Sequence, residues 1–358
     1  MKFFLSRLPK ILLGVVVTAF CIWLAIRPIL GEQDTWSQFG KEFSQADYTG
    51  IPLILLLLFI FYWLKAWRWR LLLAPVADYK PMRDLFSPIM IGFAFNNVLP
   101  LRMGEFVRCY VFGKQQNQSM TMTISTVFLE RVFDSIAILI YLAVGLSFVP
   151  PREPMIRVAA WSFGGVMGVL ALGGVAYLIW TKPMVAITEW ILARMVFIPE
   201  SLRNRICRML ESGAEGLACL KSVRLVLGLL IISFVKWLLN GAIILLSLRA
   251  FHIELTPIVA LTLLGAVALS VSLPTVPGYF GVVQAAFSTT LAGLVTNMHA
   301  VLAASIYYHL ANFIPVTLLG LILFNLSGIS LKQIEDAKDH EVELEEAPLA
   351  DDSGVPRP

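Results

Sequence analysis

The residues best suited to chemistry in this chain are charged groups at a three-residue spacing within a mostly apolar sequence. Arg102, Glu105 and Arg108 form this series, and Asn96 and Asn97 precede it. If the segment is helical, the three charges lie near one face, and Glu105 can pair with both arginines. A guanidinium group binds phosphate bidentately, and the free N–H groups of a helix start add to such a site. The series therefore predicts an anion site; the alternative is arginines that reach out to lipid headgroups.

A second charged group, Glu130, Arg131 and Asp134, lies inside a long apolar segment. These residues fall about 15 to 21 Å along a helix that begins near Met120, at about 1.5 Å per residue. Glu130 and Asp134 are four residues apart and share a face, and Arg131 can reach Asp134. Charges at membrane depth are costly, so we expect a functional site whose partners are the two arginines of the first series. The alternative is an ion pair that only locks two segments together.

A third group is polar but almost uncharged and lies near the end of the apolar sequence. It consists of Pro277, Gly278, Gly281, Gln284, His309 and Asn312. A lone histidine in an apolar helix is usually a packing or hydrogen-bonding residue, and His309 has no His or Cys at ligand spacing. We therefore predict no metal site. The sequence also lacks a nucleotide-binding loop, a nucleophile elbow and a basic patch for nucleic acid, so we predict no cofactor and no nucleic-acid partner.

The elements that must position these groups are membrane helices. The chain has 358 residues, of which 58% are hydrophobic and 15% charged, and its mean hydropathy is +0.77. Runs of about 20 apolar residues are long enough to cross a bilayer. We predict an all-α polytopic membrane protein with six full spans near residues 11–29, 51–73, 120–149, 157–180, 225–248 and 299–326. Two re-entrant or broken hairpins near 85–101 and 256–296 bring the total to six to eight helices.

One membrane domain accounts for residues 1–330, and the acidic segment 331–358 is predicted to be a disordered cytoplasmic tail. Basic residues precede the first span and fill the segment 181–224. Lys65, Arg68 and Arg70, interleaved with tryptophans, have the composition of the inner membrane interface. This charge pattern predicts a multi-pass protein of the cytoplasmic (inner) membrane with both termini in the cytoplasm.

The two halves of the chain share a layout. A Leu-Pro-x-x-x-Gly break occurs at Pro100 and again at Pro274, and each break follows a span that carries a lysine, Lys65 or Lys236. With the predicted orientation, the two hairpins enter from opposite sides. Interrupted hydrophobic segments at matching places in two inverted halves indicate a transport site near the midplane. The alternative is that three common residue types match by chance.

The motifs also resemble a known family. Asn97 to Tyr110, Glu130 to Asp134 and Pro277 to Gln284 are similar to the transmembrane region of lysylphosphatidylglycerol synthases, which is shared by proteins often described as flippase-like. The resemblance extends from about residue 10 to residue 330. The full-length synthases add a soluble aminoacyl-transferase domain that these 358 residues do not contain. The resemblance therefore implies lipid translocation without synthesis.

Three positions depart from the family pattern. Tyr279 stands where a second glycine is common, Gln284 stands where glutamate is common, and His309 stands where arginine often follows the tyrosine of the last span. The third group, around the second hairpin, is consequently less charged than the pattern. We therefore expect the first hairpin to hold the anion and the second to shape the path.

The function that we predict is a lipid flippase or transporter whose partner is an anionic lipid in the membrane. One alternative is a membrane transferase that acts on a lipid phosphate with Glu105 or Glu130 as base. Because the sequence offers no nucleophile with an orienting partner, we favour a protein that is not an enzyme. Another alternative is an accessory protein in lipid or envelope glycolipid synthesis. Neither the lipid nor the oligomeric state is predicted.

Overall fold

The structure is a computed structural model. It describes residues 15–30, 34–75, 81–99, 102–118, 120–148, 218–271 and 277–334, with isolated residues between 158 and 194. Within these ranges the regular elements are helices, and one isolated bridge joins Ala292 to Val295. The prediction of an all-α membrane protein is confirmed at this level.

Ten helices of the described ranges position the candidate site. They are α1 (Val15–Ile29), α2 (Thr35–Gln45), α3 (Ile51–Leu73), α4 (Arg83–Val98), α5 (Met103–Gln116), α6 (Met120–Phe148), α7 (Val223–Arg249), α8 (Pro257–Val271), α9 (Val282–Leu291) and α10 (Met298–Leu326). Among the described residues, three stretches are long and apolar enough to span a membrane: Tyr48–Leu73, Val223–Arg249 and Met298–Leu326. The helix α6 is as long as α10 but carries charges in its middle.

The two predicted breaks each separate a pair of packed helices. The helix α4 ends at Val98 and α5 begins at Met103, while α8 ends at Val271 and α9 begins at Val282. Prolines 100 and 274 lie outside the described residues. Gly92 and Gly104 let α4 and α5 pack closely, because a Cβ on Gly104 would come within 1.9 Å of the Gly92 carbonyl oxygen. Whether either pair enters the membrane from one side only stays a prediction.

Packing between the halves places the hairpins at the centre. The helices α3 and α7 pack side by side, α10 packs on α4, and α6 packs on α8. The last two contacts are close because Gly320 of α10 lies against Met90, and Gly145 of α6 lies against Thr262. Each long helix therefore supports the hairpin of the opposite half.

Several predictions change or stay open. The span near 157–180 and most of the segment 181–224 fall outside the described residues. The tail begins later than predicted, because residues 331–334 are helical and Ile334 packs against the apolar side chains of α4 and α5. The interfacial assignment of Lys65 and Arg68 is wrong, since both are buried. These two residues therefore no longer support the orientation, which stays a prediction.

Candidate functional site

A buried carboxylate, Asp134 of α6, lies at the centre of the charged site. Arg68 of α3 donates to both of its oxygens, at 2.5 and 3.1 Å. The same guanidinium donates to Ser233 of α7 at 2.7 Å. Arg68 has no exposed surface, and Asp134 is 3% exposed. A buried arginine thus joins three helices through one carboxylate and one hydroxyl.

Two lysines and a tryptophan complete the surroundings of Asp134. The Lys236 ammonium and the Trp237 indole N–H, both from α7, donate to its Oδ1, the latter at 2.9 Å. Lys65 of α3 approaches Oδ2 from the other side, at 4.0 Å. The Lys65 ammonium also lies 4.5 Å from the ring centre of Phe93, an arrangement that stabilises a cation away from water.

Glu130, one turn before Asp134, connects this centre to the first hairpin. It accepts a hydrogen bond from Arg68 at 3.0 Å and another from Arg108 of α5 at 2.5 Å. The Arg108 guanidinium also stacks on the buried Trp69 ring, 3.8 Å from its centre. The predicted pairing of Arg108 with the second charged group is confirmed. Because both arginine contacts are buried, this pair fixes α5 against α3 and α6.

Glu105 pairs with neither Arg102 nor Arg108, so the prediction made from the three-residue spacing is wrong. Its carboxylate instead meets Arg131 at 2.8 Å, and both side chains are 32% exposed. The expected face does not form because Arg102 precedes the helix in a left-handed conformation (φ 55°) and Arg108 turns toward Trp69. Arg131, which was predicted to reach Asp134, pairs with Glu105 instead. This pair is the accessible margin of an otherwise buried cluster.

Arg102 lies at the tip of the first hairpin and contacts the second. Its guanidinium donates to the backbone oxygen of Val271, the last residue of α8, at 2.5 Å. The residues that follow α8 also approach the first hairpin, since the turn Pro277–Tyr279 packs on α4. The two hairpin tips therefore meet, and a half-buried arginine lies between them.

The cluster holds more positive than negative charge. Its cations are Lys65, Arg68, Arg108, Arg131 and Lys236, and its carboxylates are Glu105, Glu130 and Asp134. In their ordinary ionised forms these groups leave an excess of two positive charges, and Arg102 is not included in that count. Several buried guanidinium nitrogens have no hydrogen-bond partner among the described residues: Nε of Arg68 and Arg131, and Nε and one terminal nitrogen of Arg108.

The two asparagines before the break have different surroundings. Asn97 donates to the Thr317 hydroxyl of α10 at 2.8 Å, which ties the first hairpin to the last long helix. Asn96 is buried beside Gly104, and its side-chain oxygen lacks a partner within the described part of the chain. No group of three or more possible metal ligands occurs in the same described ranges.

The third predicted group forms a hydrogen-bonded network around the second break. The Gln284 amide nitrogen lies 3.2 Å from Nδ1 of His309, and Nε2 of His309 lies 2.7 Å from the carbonyl oxygen of Gly278. The Gln284 carbonyl oxygen accepts from the backbone N–H of Gly281 at 2.8 Å. A neutral His309 that donates from Nε2 satisfies every one of these contacts. Gly278 and Gly281 adopt positive φ values, 79° and 83°, which the turn requires.

This network explains two of the departures from the family pattern together. Gln284 replaces a common glutamate and His309 replaces a common arginine, and the two side chains are in direct contact. In this chain the two residues form a neutral hydrogen-bonded pair. Asn312 is separate from this pair and donates to the backbone oxygen of Tyr308 at 2.8 Å.

Contacts in the two halves fall at the same positions of their helices. Glu105 and Gln284 are each the third residue of their helix, and their partners Arg131 and His309 are each the twelfth. The ion pair of the first half therefore matches the hydrogen bond of the second.

A second contact repeats in the same way. Arg68 and Asn240 are each the eighteenth residue of their helix, and their partners Glu130 and Tyr308 are each the eleventh. Arg68 meets Glu130 at 3.0 Å, and the Tyr308 hydroxyl meets Asn240 at 2.9 Å. Counting residues from the start of each helix therefore aligns the two pairs.

Three cations of the site were not predicted. Lys65 and Lys236 served as landmarks of the repeat, and Lys65 and Arg68 were assigned to the interface. A signal was present in the sequence: Lys65 is the fifteenth of the 23 residues of α3, well inside the helix rather than at its end. Lysine at that depth requires a partner.

Comparisons with known proteins agree with this picture of a membrane protein. The profile of the family described as lysylphosphatidylglycerol synthase TM region matches residues 11–320, which include all three groups of residues. A UPF0104 membrane protein of Methanocaldococcus jannaschii is 26% identical over 234 residues, 64% of this chain and 92% of that protein. A UPF0104 membrane protein of Methanothermobacter thermautotrophicus is 24% identical over 343 residues, 90% of this chain and 96% of that protein. No solved structure matches the chain.

Proposed function

The chain belongs to the lysylphosphatidylglycerol synthase transmembrane-region family and is a multi-pass membrane protein; we propose that it moves a lipid with an anionic, phosphate-bearing headgroup across the membrane. The headgroup binds beside the charged cluster between the two hairpin tips. The family name supports a lipid as the partner. The chemistry of the cluster supports an anion.

The excess positive charge is the observation that carries this proposal. A buried cation without a counterion costs several kcal/mol, so natural proteins pair such groups. Here five cations share three carboxylates, and four guanidinium nitrogens are left without partners among the described residues. A phosphate group at the margin of the cluster supplies the missing negative charge, and its oxygens can accept from the unpartnered Nε of Arg131. A bound anion would balance the excess charge of these described residues.

The cations divide into those that hold the fold and those that can meet a headgroup. Arg68 and Lys236 are fully buried on Asp134, and Arg108 is fixed between Glu130 and Trp69. Arg131 and Arg102 are half-buried and lie at the margin of the cluster. We assign the first contact with a phosphate to these two accessible arginines.

An inverted repeat is the second part of the proposal. The matched positions of Glu105–Arg131 and Gln284–His309 support it, as does the reciprocal packing of α10 on α4 and α6 on α8. In such an architecture, discontinuous helices from both halves meet at the substrate site, and rocking of one half against the other exposes it to each side. The contact of Arg102 with the end of α8 lies at that meeting point.

A transferase would need a carboxylate that is free to accept a proton from its substrate. Both candidate bases are engaged: Glu130 accepts from two guanidinium groups, and Glu105 is paired with Arg131. This arrangement favours movement of the lipid over chemistry on it.

The test is reconstitution of the purified chain in liposomes that contain fluorescent phospholipids or prenyl phosphates. We expect headgroups with a phosphate to cross faster than in empty liposomes, and a neutral glycolipid with the same chains to cross at the background rate. Movement no faster than in empty liposomes, for every headgroup tried, would contradict the proposal. Conversion of the lipid to a new product would favour the transferase.

A further inference from the structure

A groove on the opposite side of the second break has a different chemistry from the charged cluster. It has a volume of about 360 Å³ and lies between α1, α2, α10 and the start of α9. Its walls are hydrocarbon and aromatic, with Ile22, Ala25, Trp36, Phe280, Leu302 and Ile306 among them. This volume falls within the range of about 300 to 1,000 Å³ that small-molecule sites occupy.

The groove runs along the helices rather than across them. Leu302, Ile306 and Leu310 line it at intervals of one turn of α10, and Ile22 and Ile26 do so on α1. Three turn-spaced residues on α10 span about 12 Å at about 1.5 Å per residue. A groove that runs along the helices has the direction that lipid chains take in a bilayer.

One end of the groove lies at an amphipathic helix. Helix α2 has no buried residue, and Trp36, which lines the groove, is 76% exposed. Exposed tryptophan on a short amphipathic helix is typical of the level of the lipid headgroups. The groove also opens beside Ile22 and Phe280, which are 44% and 42% exposed. It is therefore continuous with the lipid-facing surface of the protein.

The polar groups of the lining do not require a polar ligand. Gln284 and His309 are hydrogen-bonded to each other, and their remaining polar atoms meet Gly281 and Gly278. A hydrocarbon chain can therefore occupy the groove without leaving these groups unpaired.

A single turn of chain separates the groove from the charged cluster. Phe280 stacks on His309 and lines the groove, while the adjoining turn Pro277–Tyr279 packs on α4 of the first hairpin. From this arrangement we infer that the groove is a binding site for one hydrocarbon chain of the lipid whose headgroup occupies the cluster. This inference rests on the proposed function and adds to it: the substrate is recognised by a chain as well as by its phosphate.

The test uses the full chain in liposomes of phosphatidylcholine that contain a phospholipid with a photoreactive diazirine in one acyl chain. After irradiation, mass spectrometry measures the labelled peptides. We expect labels on the groove faces of α1 and α10. Ile306→Trp fills the groove, so this variant should lose those labels, whereas the matched variant Leu318→Trp, on an exposed position of α10, should retain them.

Three results would overturn the inference. Equal labelling of the groove peptides in Ile306→Trp and in the unsubstituted chain would show contact with bulk lipid only. Labelling that begins only when residues 1–14 are removed would show that the chain's own N-terminal segment fills the groove. Arg102→Ala separates this inference from the proposed function, because it should keep the groove labels while headgroup movement is lost. Movement without groove labels contradicts the inference alone, and groove labels without movement of any headgroup contradict the proposed function.

Discussion

The two half-sites of this protein have the same positions and different chemistry. In the first, Glu105 and Arg131 form an ion pair at 2.8 Å that is partly open to solvent. In the second, Gln284 and His309 occupy the matching positions with a neutral hydrogen bond, and both are buried. The contact between hairpin and long helix is therefore common to both halves. In this chain the matched pair is charged in the first half and neutral in the second.

The difference also separates structure from ligand binding. The second half-site is satisfied internally, since each polar atom of His309 has a partner. The first has surplus donors and surplus charge. We expect the second half-site, which is satisfied internally, to shape the path of the lipid. We expect the first half-site, which has an excess of positive charge, to bind the anion. This division is the prediction made from the sequence, and it stays a proposal.

The largest effect should come from the matched pair Asp134→Ala and Asn312→Ala, at the fifteenth position of α6 and of α10. Loss of Asp134 leaves Lys236 buried without its hydrogen-bonded counterion and Arg68 with Glu130 alone, which costs about 3 to 5 kcal/mol. Loss of Asn312 removes one hydrogen bond to Tyr308, worth about 0.5 to 1.5 kcal/mol. Unfolding in mixed detergent micelles measures both free energies. Equal losses would refute the difference between the halves.

A charge transplant should have an intermediate effect. Gln284→Glu and His309→Arg each bury a charge opposite a neutral partner, so each single variant should be destabilised. The double variant recreates the ion pair of the first half, and the coupling between the two substitutions should be about 0.5 to 3 kcal/mol in favour of the pair. A double-mutant cycle on the unfolding free energy supplies the measurement. Additive effects would mean that the matching positions are coincidental.

The smallest effect on stability should come from Lys65→Met, which removes one surplus cation. Lys65 contacts Asp134 only at 4.0 Å and lies over the Phe93 ring, whereas Lys236 is hydrogen-bonded to Asp134. Lys65→Met should therefore leave the unfolding free energy nearly unchanged and weaken binding of a phosphate-bearing lipid, while Lys236→Met should destabilise the fold. Thermal unfolding and lipid-binding titrations of both variants distinguish these roles. A large loss of stability in Lys65→Met would show that no charge is in surplus.

Much of the helical layout could be predicted because it depends on local properties. Apolar runs of bilayer length define α3, α7 and α10, and the helix breakers near residues 100 and 274 mark the two gaps. The shared face of Glu130 and Asp134 follows from a four-residue spacing, and one guanidinium, that of Arg68, contacts both carboxylates.

Long-range partners could not be predicted in the same way. The contact of Arg68 with Asp134 joins residues 66 positions apart, and that of Lys236 joins residues 102 apart. Composition made Arg68 resemble an interfacial residue, because tryptophans flank it on both sides. The pairing of Glu105 was wrong for a local reason: the left-handed backbone of Arg102 removes that residue from the helical face.

Headgroup movement in liposomes tests the central claim, an anion site at the margin of the charged cluster, most directly. The measurement compares Arg102→Ala with Arg83→Ala, which removes an arginine whose side chain is 89% exposed at the start of α4. We expect Arg102→Ala to move a phosphate-bearing lipid at the rate of empty liposomes and Arg83→Ala to match the unsubstituted chain. Equal rates in both variants, with both proteins folded, would contradict the account.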